Sequence, residues 1–591
     1  MPCAGRPVSS MTASRRPVGT LNWSGGSVAE LIATYLVWRG VRRVYGLCGG
    51  HIQPIWDALA RYGVTIVDVR HECAAVYMAH AEAELTGRPG VAMVTAGPGL
   101  TNTVTGIANA SVARVPVLLL SGRPPRPQAG RGALQEVPQG QVMAPLCRAT
   151  LTTDDARHVL ARLDQAMMAA AGWDTPPGPA YLDFPTDLLV EQAPPRDAWT
   201  WSPAAIEPPE LLPAPDDVAC ARELIVSARR PIAIGGRGTH EAGSGLAALL
   251  QASGILYIDS AESRGALPAD CPNVVSAVRG RAMREADLVI TLDRSLNFQF
   301  AYGSTAAFNP AARFLRVGRH SSQVADNRRG EVELLCSVAA FVGALGDTIQ
   351  LAEADTSWAD SLRAAHRDAT RRLAEKAESL PAGTDGFMHP YRLLTAVNHV
   401  VDPDTVIVAD GGDILSFARV ALSARTYLDC GAFGCLGVGV PFANAAAMNL
   451  PGRKVIAVIG DGAFGFTAME IDTAVRHQVD AVFVIANNQA WNIEKADQLQ
   501  RFAGNAVGVD LPGCRYDLLA EALGAAGRRV SDPADLPEAL QWAQRSTPAV
   551  LDVLVTQDAQ SPDSAAGLAT VPSYQAVTKW QEAETGPVRH S

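Results

Sequence analysis

The segment Lys454 to Lys495 constrains this chain more than any other. It reads KVIAVIG-DGAFGFT-AMEIDTAVRH, then AVFVIA-NNQAWNIEK. Val455 to Ile459 and Ala481 to Ala486 are short apolar runs of the kind that form buried parallel strands. Ala468 to His477 carries apolar residues at helical spacing between them. A β-α-β unit follows, and it brings both strand ends to one carboxyl edge of a sheet. Gly460-Asp461-Gly462 then lies at the first strand end and Asn487-Asn488 at the second. Two oxygen donors, Asp461 and Asn488, therefore converge on one point. Hard cations such as Mg²⁺ take oxygen ligands and keep phosphate oxygens in their shell. Gly460, Gly462 and Ala463 lead into a helix whose N-terminal N–H groups favour an anion. The expected site is a Mg²⁺-diphosphate site.

The chain has 591 residues, too many for one core, and three domains are expected. Expected boundaries are an N-terminal tail at 1–26, domains at 27–191, 217–348 and 389–560, linkers at 192–216 and 349–388, and a C-terminal tail at 561–591. A net charge of −10 argues against a nucleic-acid surface. No apolar run approaches the roughly 18 residues of a membrane span. The N-terminal residues are rich in Arg and Ser and lack the apolar core of a signal peptide. The ten cysteines show no CxxC pair, which suits reduced thiols in a cytoplasm.

Before the organising segment, strands alternate with helices from about Ser27, as in a doubly wound parallel sheet. Val44–Leu47 is followed by the tight loop Cys48-Gly49-Gly50-His51. Val64–Val69 is followed by Arg70-His71-Glu72 at the head of a helix. Val91–Thr95 is followed by Ala96-Gly97-Pro98-Gly99. Doubly wound sheets place ligands at such strand ends. The central region repeats the pattern, with Gly235-Gly236-Arg237-Gly238 after its first strand. In the third region Val406–Ala409 runs into Asp410-Gly411-Gly412-Asp413, a second candidate for the diphosphate.

Gly460-Asp461-Gly462 with Asn487-Asn488 resembles the signature of thiamine diphosphate (ThDP) enzymes. RHE at 70–72 and TAGPGLTN at 95–102 resemble the first domain of their acetolactate synthase group. The resemblance implies three domains of ThDP-binding fold, a homodimer or homotetramer, and a cofactor held between two subunits. It implies Mg²⁺ ligands at Asp461, Asn488 and the Ala490 carbonyl. Glu72 would protonate N1' of the aminopyrimidine, a role that desolvation of a carboxyl favours. Gly97, Pro98, Gly99 and Asn102 would line the cofactor, as would Gly412 and Asp413. GALQEVPQ at 132–139 resembles a loop whose Gln, here Gln135, faces the thiazolium. GAFGCLG at 431–437 resembles the loop beneath the cofactor, with Gly434 at its turn and Leu436 bending the two rings together. Ala83-Glu84-Leu85-Thr86 departs from the family's usual Gly-Tyr-Ala-Arg.

Two features bear on substrate. GDGAFGFTAMEIDT and GAFGCLGVG look most like the branch of 2-hydroxyacyl-CoA lyases and oxalyl-CoA decarboxylases. That implies cleavage of an acyl-CoA, such as 2-hydroxyisobutyryl-CoA, to formyl-CoA and a ketone or aldehyde. Cys48-Gly49-Gly50-His51-Ile52 looks instead like acetolactate synthases and benzaldehyde lyase, where a His helps proton transfer. An acetolactate synthase- or benzaldehyde lyase-type carboligase is the alternative activity, and oxalyl-CoA decarboxylase a further one. A silent regulatory homologue is a reading of another class, set against Glu72, Asp461 and Asn488 occurring together. Glu494 is placed to take a 2-hydroxyl proton as a general base, with Trp491 and Ile493 as pocket walls. For the central domain ADP is the candidate ligand, with Arg237 and Asp293 available to it. FAD is not expected, and Val317-Gly318-Arg319 lacks the acid that meets a ribose in several relatives, which counts against any nucleotide there. Pro572-Ser573-Tyr574 and Lys579 in the tail are candidates for a lid.

Overall fold

The computed structural model describes residues 20–199, 201–268, 270–346 and 349–565. The expected tail lid, with Pro572 and Lys579, lies outside the described residues. Three parallel sheets flanked by helices make up the chain, the architecture expected from its alternating pattern. The described residues fall into two compact units, one ending at Pro209 and one beginning at Glu210. The first unit holds one sheet and the second holds two.

The first sheet contains β1 (Arg43–Gly46), β2 (Thr65–Asp68), β3 (Gly90–Val94), β4 (Val117–Arg123), β5 (Ala149–Thr152) and β6 (Pro179–Pro185) in the order β2-β1-β3-β4-β6-β5. β3 and the first four residues of β4 are buried outright, which is why they read as unbroken apolar runs. The chain winds away from the β1–β3 pair in opposite directions. That pair is therefore the switch point, where the carboxyl ends of the strands leave a crevice. His51 follows β1, and the Thr95–Gly99 turn follows β3.

The second sheet contains β7 (Pro231–Gly235), β8 (Leu256–Ile258), β9 (Leu288–Leu292), β10 (Arg313–Gly318) and β11 (Val332–Leu335) in the order β11-β10-β9-β7-β8. Its switch point lies between β7 and β9, where Gly236 meets Asp293. A Cβ on Gly236 would stand 2.0 Å from the Asp293 carbonyl oxygen. Asp293 has a φ of 54° and accepts the Gly238 N–H at 2.9 Å. The glycine-rich turn thus already carries a carboxylate from its own sheet. Arg319 is likewise engaged, in an ion pair with Glu241 at 2.6 Å.

The third sheet contains β12 (Val406–Asp410), β13 (Thr426–Asp429), β14 (Val455–Gly460), β15 (Val482–Asn487), β16 (Ala526–Val530) and β17 (Ala549–Leu554) in the order β13-β12-β14-β15-β17-β16. β14 and β15 pair in parallel with Gly460 opposite Ala486, so Asp461 and Asn488 emerge on the same edge. The helix expected over 468–477 is Glu470–Arg476, and a further helix, Asp461–Thr467, precedes it. Gly460 is extended and Asp461 begins the first helix at once. The glycines at 462 and 465 dilute the apolar periodicity that would have shown this turn of helix. Among the described residues no helix is long and apolar enough to cross a membrane. All nine described cysteines are free.

Candidate active site

In the first unit, six sequence candidates gather near the β1–β3 switch point. Glu72 is the first residue of the helix Glu72–Thr86 and is only 7% exposed. His71 caps that helix, its Nδ1 accepting the Cys73 N–H at 3.1 Å. Asn102 donates from Nδ2 to Glu72 Oε2 at 2.9 Å. Asn102, expected to line the cofactor, therefore also holds the carboxyl. His51 is buried, with its Nδ1 3.4 Å from Thr95 Oγ1. Burial lowers the His51 pKa, and a hydrogen bond with Gln135 opposes that shift. Gln135 has a φ of 61° and packs against Gly97, itself at φ 60° and followed directly by Pro98.

A residue the sequence did not single out ties this group together. Gln139 is buried, accepts the Gly97 N–H at 2.9 Å, and donates to the Gly122 carbonyl and to Tyr181 Oη at 3.1 and 2.8 Å. Tyr181 Oη in turn donates to Asp183 Oδ2 at 2.9 Å. No signal in the sequence distinguishes Gln139 from the other polar residues of its loop. Only the fold shows that it turns inward.

In the second unit, Asp461 is buried and accepts N–H bonds from Gly462 at 2.9 Å and Gln489 at 2.7 Å. The second bond joins the β14 loop to the β15 loop. Asn488 is buried and its Oδ1 accepts the Ala490 N–H at 3.2 Å. Ala490 is fixed in turn by a bridge to Asp510. Burial pushes the Asp461 carboxyl up to about 7, against the pull of the backbone N–H groups. A carboxylate, an amide oxygen and a nearby peptide carbonyl form a hard-oxygen set that suits Mg²⁺. Among the described residues no cluster of three His, Cys, Asp or Glu side chains could hold a metal.

Trp491 lies over Gly462, where a Cβ would stand 2.4 Å from its ring. Ile493 lies over Gly412 in the same way, at 2.8 Å. Asp413 is buried, accepts from Asn492 Nδ2 at 3.0 Å, and has its carboxyl raised by burial. Leu436 is half-buried and Gly434 exposed at φ 70°. Asp410, the first residue of the second candidate diphosphate loop, is fully buried. Its Oδ2 accepts the N–H groups of Gly437 and Gly439 at 3.0 and 2.8 Å. Glu494 stands in the first turn of the helix Asn492–Arg501 and reaches solvent. The surrounding protein, and then the Asp497 charge, raise its carboxyl.

The second unit also contains a cavity of about 1760 Å³. Its wall includes Gly411, Gly412, Gly434 and Leu436, together with Arg264, Arg279, Arg419 and Arg425. Asp259, Asp270, Asp402 and Asp563 share the wall. Asp402 is bound to Lys454 at 2.9 Å, and Asp259 stands 3.7 Å from Arg264.

Three family profiles match the chain. They are the thiamine pyrophosphate enzyme N-terminal TPP binding domain over residues 26–143, the central domain over 218–345 and the C-terminal TPP binding domain over 410–553. A probable acetolactate synthase of Mycobacterium bovis is 34% identical across 90% of this chain and 96% of its own. 2-Hydroxyacyl-CoA lyase 2 of Caenorhabditis elegans is 33% identical across 85% of this chain and 84% of its own. The human protein of that name is 31% identical across 89% of each. With the two strand-end sites and matches in all three domains, the chain belongs to the thiamine pyrophosphate enzyme family.

Proposed function

We propose that the chain is a ThDP- and Mg²⁺-dependent carbon–carbon lyase. Its substrate would be a short 2-hydroxyacyl-CoA, cleaved to formyl-CoA and a ketone or aldehyde. The observation that carries the CoA part is the cavity in the second unit. Ligand pockets are typically about 300–1,000 Å³, and this one is about 1760 Å³. Pyruvate needs no such volume, whereas a CoA thioester brings a long arm with phosphates. The Arg279 and Arg425 guanidinium groups make no close ion pair or hydrogen bond with a described residue, and although Asp563 and Asp259 attract Arg279 from a distance, both would be available to phosphate oxygens. Gly411, Gly412, Gly434 and Leu436 line the same space, so the thioester end would lie beside the cofactor loops.

ThDP, when bound, supplies the carbon nucleophile and the electron sink for bond cleavage. Asp461, Asn488 and Ala490 would hold Mg²⁺ and through it the diphosphate. Glu72, positioned by Asn102, would hold a proton at the aminopyrimidine nitrogen. Glu494 would take the 2-hydroxyl proton as the C–C bond breaks, a task suited to a carboxyl raised above its ordinary value. His51, lowered by burial and set beside Gln135 and Thr95, would carry a proton to the released product. ADP in the central domain is less well supported, because Asp293 already occupies the Gly238 amide.

A second reading, a carboligase acting on pyruvate or aldehydes, is favoured by the buried His51 and by the mycobacterial relative. Product analysis separates the two. Chain, ThDP and Mg²⁺ are incubated with a panel of 2-hydroxyacyl-CoA thioesters or with pyruvate alone. Formyl-CoA with acetone or an aldehyde is the expected result. Acetolactate from pyruvate with inert thioesters would replace the lyase reading with the carboligase.

A further inference from the structure

The loop 431–437 hangs between two buried carboxylates, and only one of them has a cationic partner facing the cavity. At its far end Asp410 accepts Gly437 and Gly439. At its near end Asp429 is shared. Oδ1 accepts the Gly431 N–H at 2.7 Å, and Oδ2 accepts Nε–H of Arg419 at 2.9 Å. Arg419 belongs to the helix Asp413–Ala421, which starts in the Gly411-Gly412 loop, and its side chain lines the cavity. The Nε bond to Asp429 is the only hydrogen bond its guanidinium makes to a described residue, and Nη2 is buried without a partner. Burial disfavours the ionised form of Asp429, and the Arg419 charge overcomes this and keeps the carboxyl below its ordinary value. Arg264 adds to that pull from the cavity wall, stacked 4.6 Å from the Tyr427 ring.

One arginine thus touches both the cavity and the carboxylate that anchors the cofactor loop. An anion in the cavity that accepts from the exposed edge of the guanidinium would fix Arg419 on both sides. A fixed Arg419 fixes Asp429, and Asp429 fixes the Gly431 amide and the start of the loop that carries Gly434 and Leu436.

We infer that Arg419 is a positioning residue that couples a phosphate-bearing ligand in the cavity to the cofactor loop, so that each ligand tightens the binding of the other. The inference rests on the proposed reading of the cavity. The phosphates could come from a CoA thioester or from a nucleotide, and the test separates these sources. Coupling of this kind is reciprocal, because binding free energies form a closed cycle.

The experiment is calorimetric titration of the full chain with ThDP at fixed Mg²⁺, without and with saturating CoA or ADP, followed by the reverse titrations. The ThDP Kd should fall about fivefold or more when CoA is present, and the CoA Kd should fall by the same factor when ThDP is present. In Arg419→Gln and in Asp429→Asn that factor should drop to one. CoA should still bind through Arg279 and Arg425. Arg419→Lys, which keeps the charge, should restore part of the factor. A factor of one in the wild type with CoA bound would overturn the coupling and leave the thioester reading standing. Coupling with ADP but no binding of CoA would keep Arg419 in its role and overturn the thioester source. Failure of both to bind would overturn the coupling and the cavity reading together. Full coupling in Arg419→Gln would remove Arg419 from the path.

Discussion

Asp410 and Asp461 stand at the ends of neighbouring strands, are both buried, and are both pushed up to about 7 by burial. Their partners differ. Asp461 accepts backbone N–H groups from two loops and belongs to a set of oxygen donors, so a bound cation would complete its ionisation. Asp461→Ala should therefore abolish Mg²⁺-dependent ThDP binding, measured by titration of the folded chain. Retained affinity would show that the cation is held elsewhere. Asp410 instead holds the end of the 431–437 loop through the Gly437 and Gly439 N–H groups, with Oδ1 buried and unpartnered among the described residues. A carboxyl raised in the fold contributes stability below its unfolded value, near 3.8, and loses it as pH rises through about 7. Across that window the loss is about 1.4 kcal/mol per pH unit. Asp410→Asn has the same shape and no charge. Its melting temperature should match the wild type near pH 4 and exceed it near pH 8. Equal pH slopes for the two proteins would mean that Asp410 ionises at its ordinary value. Glu72→Gln keeps an oxygen for the Asn102 N–H and loses the titratable proton. Turnover should fall about a hundredfold or more, with ThDP affinity nearly unchanged. Full activity in that variant would remove Glu72 from the proton path.

At the scale of elements, the strand-to-loop junctions carry the site, and glycines there differ in what their neighbours allow. Gly462 is roofed by Trp491, and a Cβ would stand 2.4 Å from the ring. Gly434 has no atom within 4 Å of its would-be Cβ but sits at φ 70°. Gly462→Ala should displace Trp491 and with it the Asn488–Ile493 loop, weakening ThDP binding tenfold or more. Gly434→Ala should cost only about 1 kcal/mol of backbone strain, read as a small fall in melting temperature with binding kept. The reverse ranking would show that Trp491 yields easily and that the 431–437 loop is the rigid part. These junctions also mark what the sequence made legible. Buried parallel strands are apolar runs, so Val455–Ile459 and Ala481–Ala486 could be read directly, and Asp461 and Asn488 followed from the edge they share. Glu72, His51 and Gly97 lie beyond strand ends as the pattern implied, and the family resemblance, not the pattern, gave them their expected roles. The helix Asp461–Thr467 was hidden because its glycines blur helical periodicity. Gln139, the shared Asp429 and the Asp293 plug depend on which way a side chain turns after the chain has closed, and no local pattern records that.

At the scale of the whole molecule, Glu72 and Asp461 belong to different compact units, Glu72 to the one ending at Pro209 and Asp461 to the one beginning at Glu210. The resemblance to ThDP enzymes implies that the cofactor bridges two subunits, Glu72 coming from one and the Asp461 loop from the other. In a twofold dimer that arrangement gives two equivalent sites, each built from both chains. A Glu72→Gln subunit and an Asp461→Ala subunit are each inactive as homodimers. In a mixed dimer, one site receives both altered residues and the other receives Glu72 and Asp461 intact. If subunits pair at random, half the dimers are mixed and half of their sites are sound. Co-expression of the two variants in equal amounts should therefore restore about a quarter of wild-type turnover. A tetramer built from such dimers gives the same fraction. If Glu72 and Asp461 of the same chain made the site, every site would carry one lesion, and co-expression would restore nothing. Turnover of the co-purified mixture, beside each variant alone, measures which chain supplies the acid.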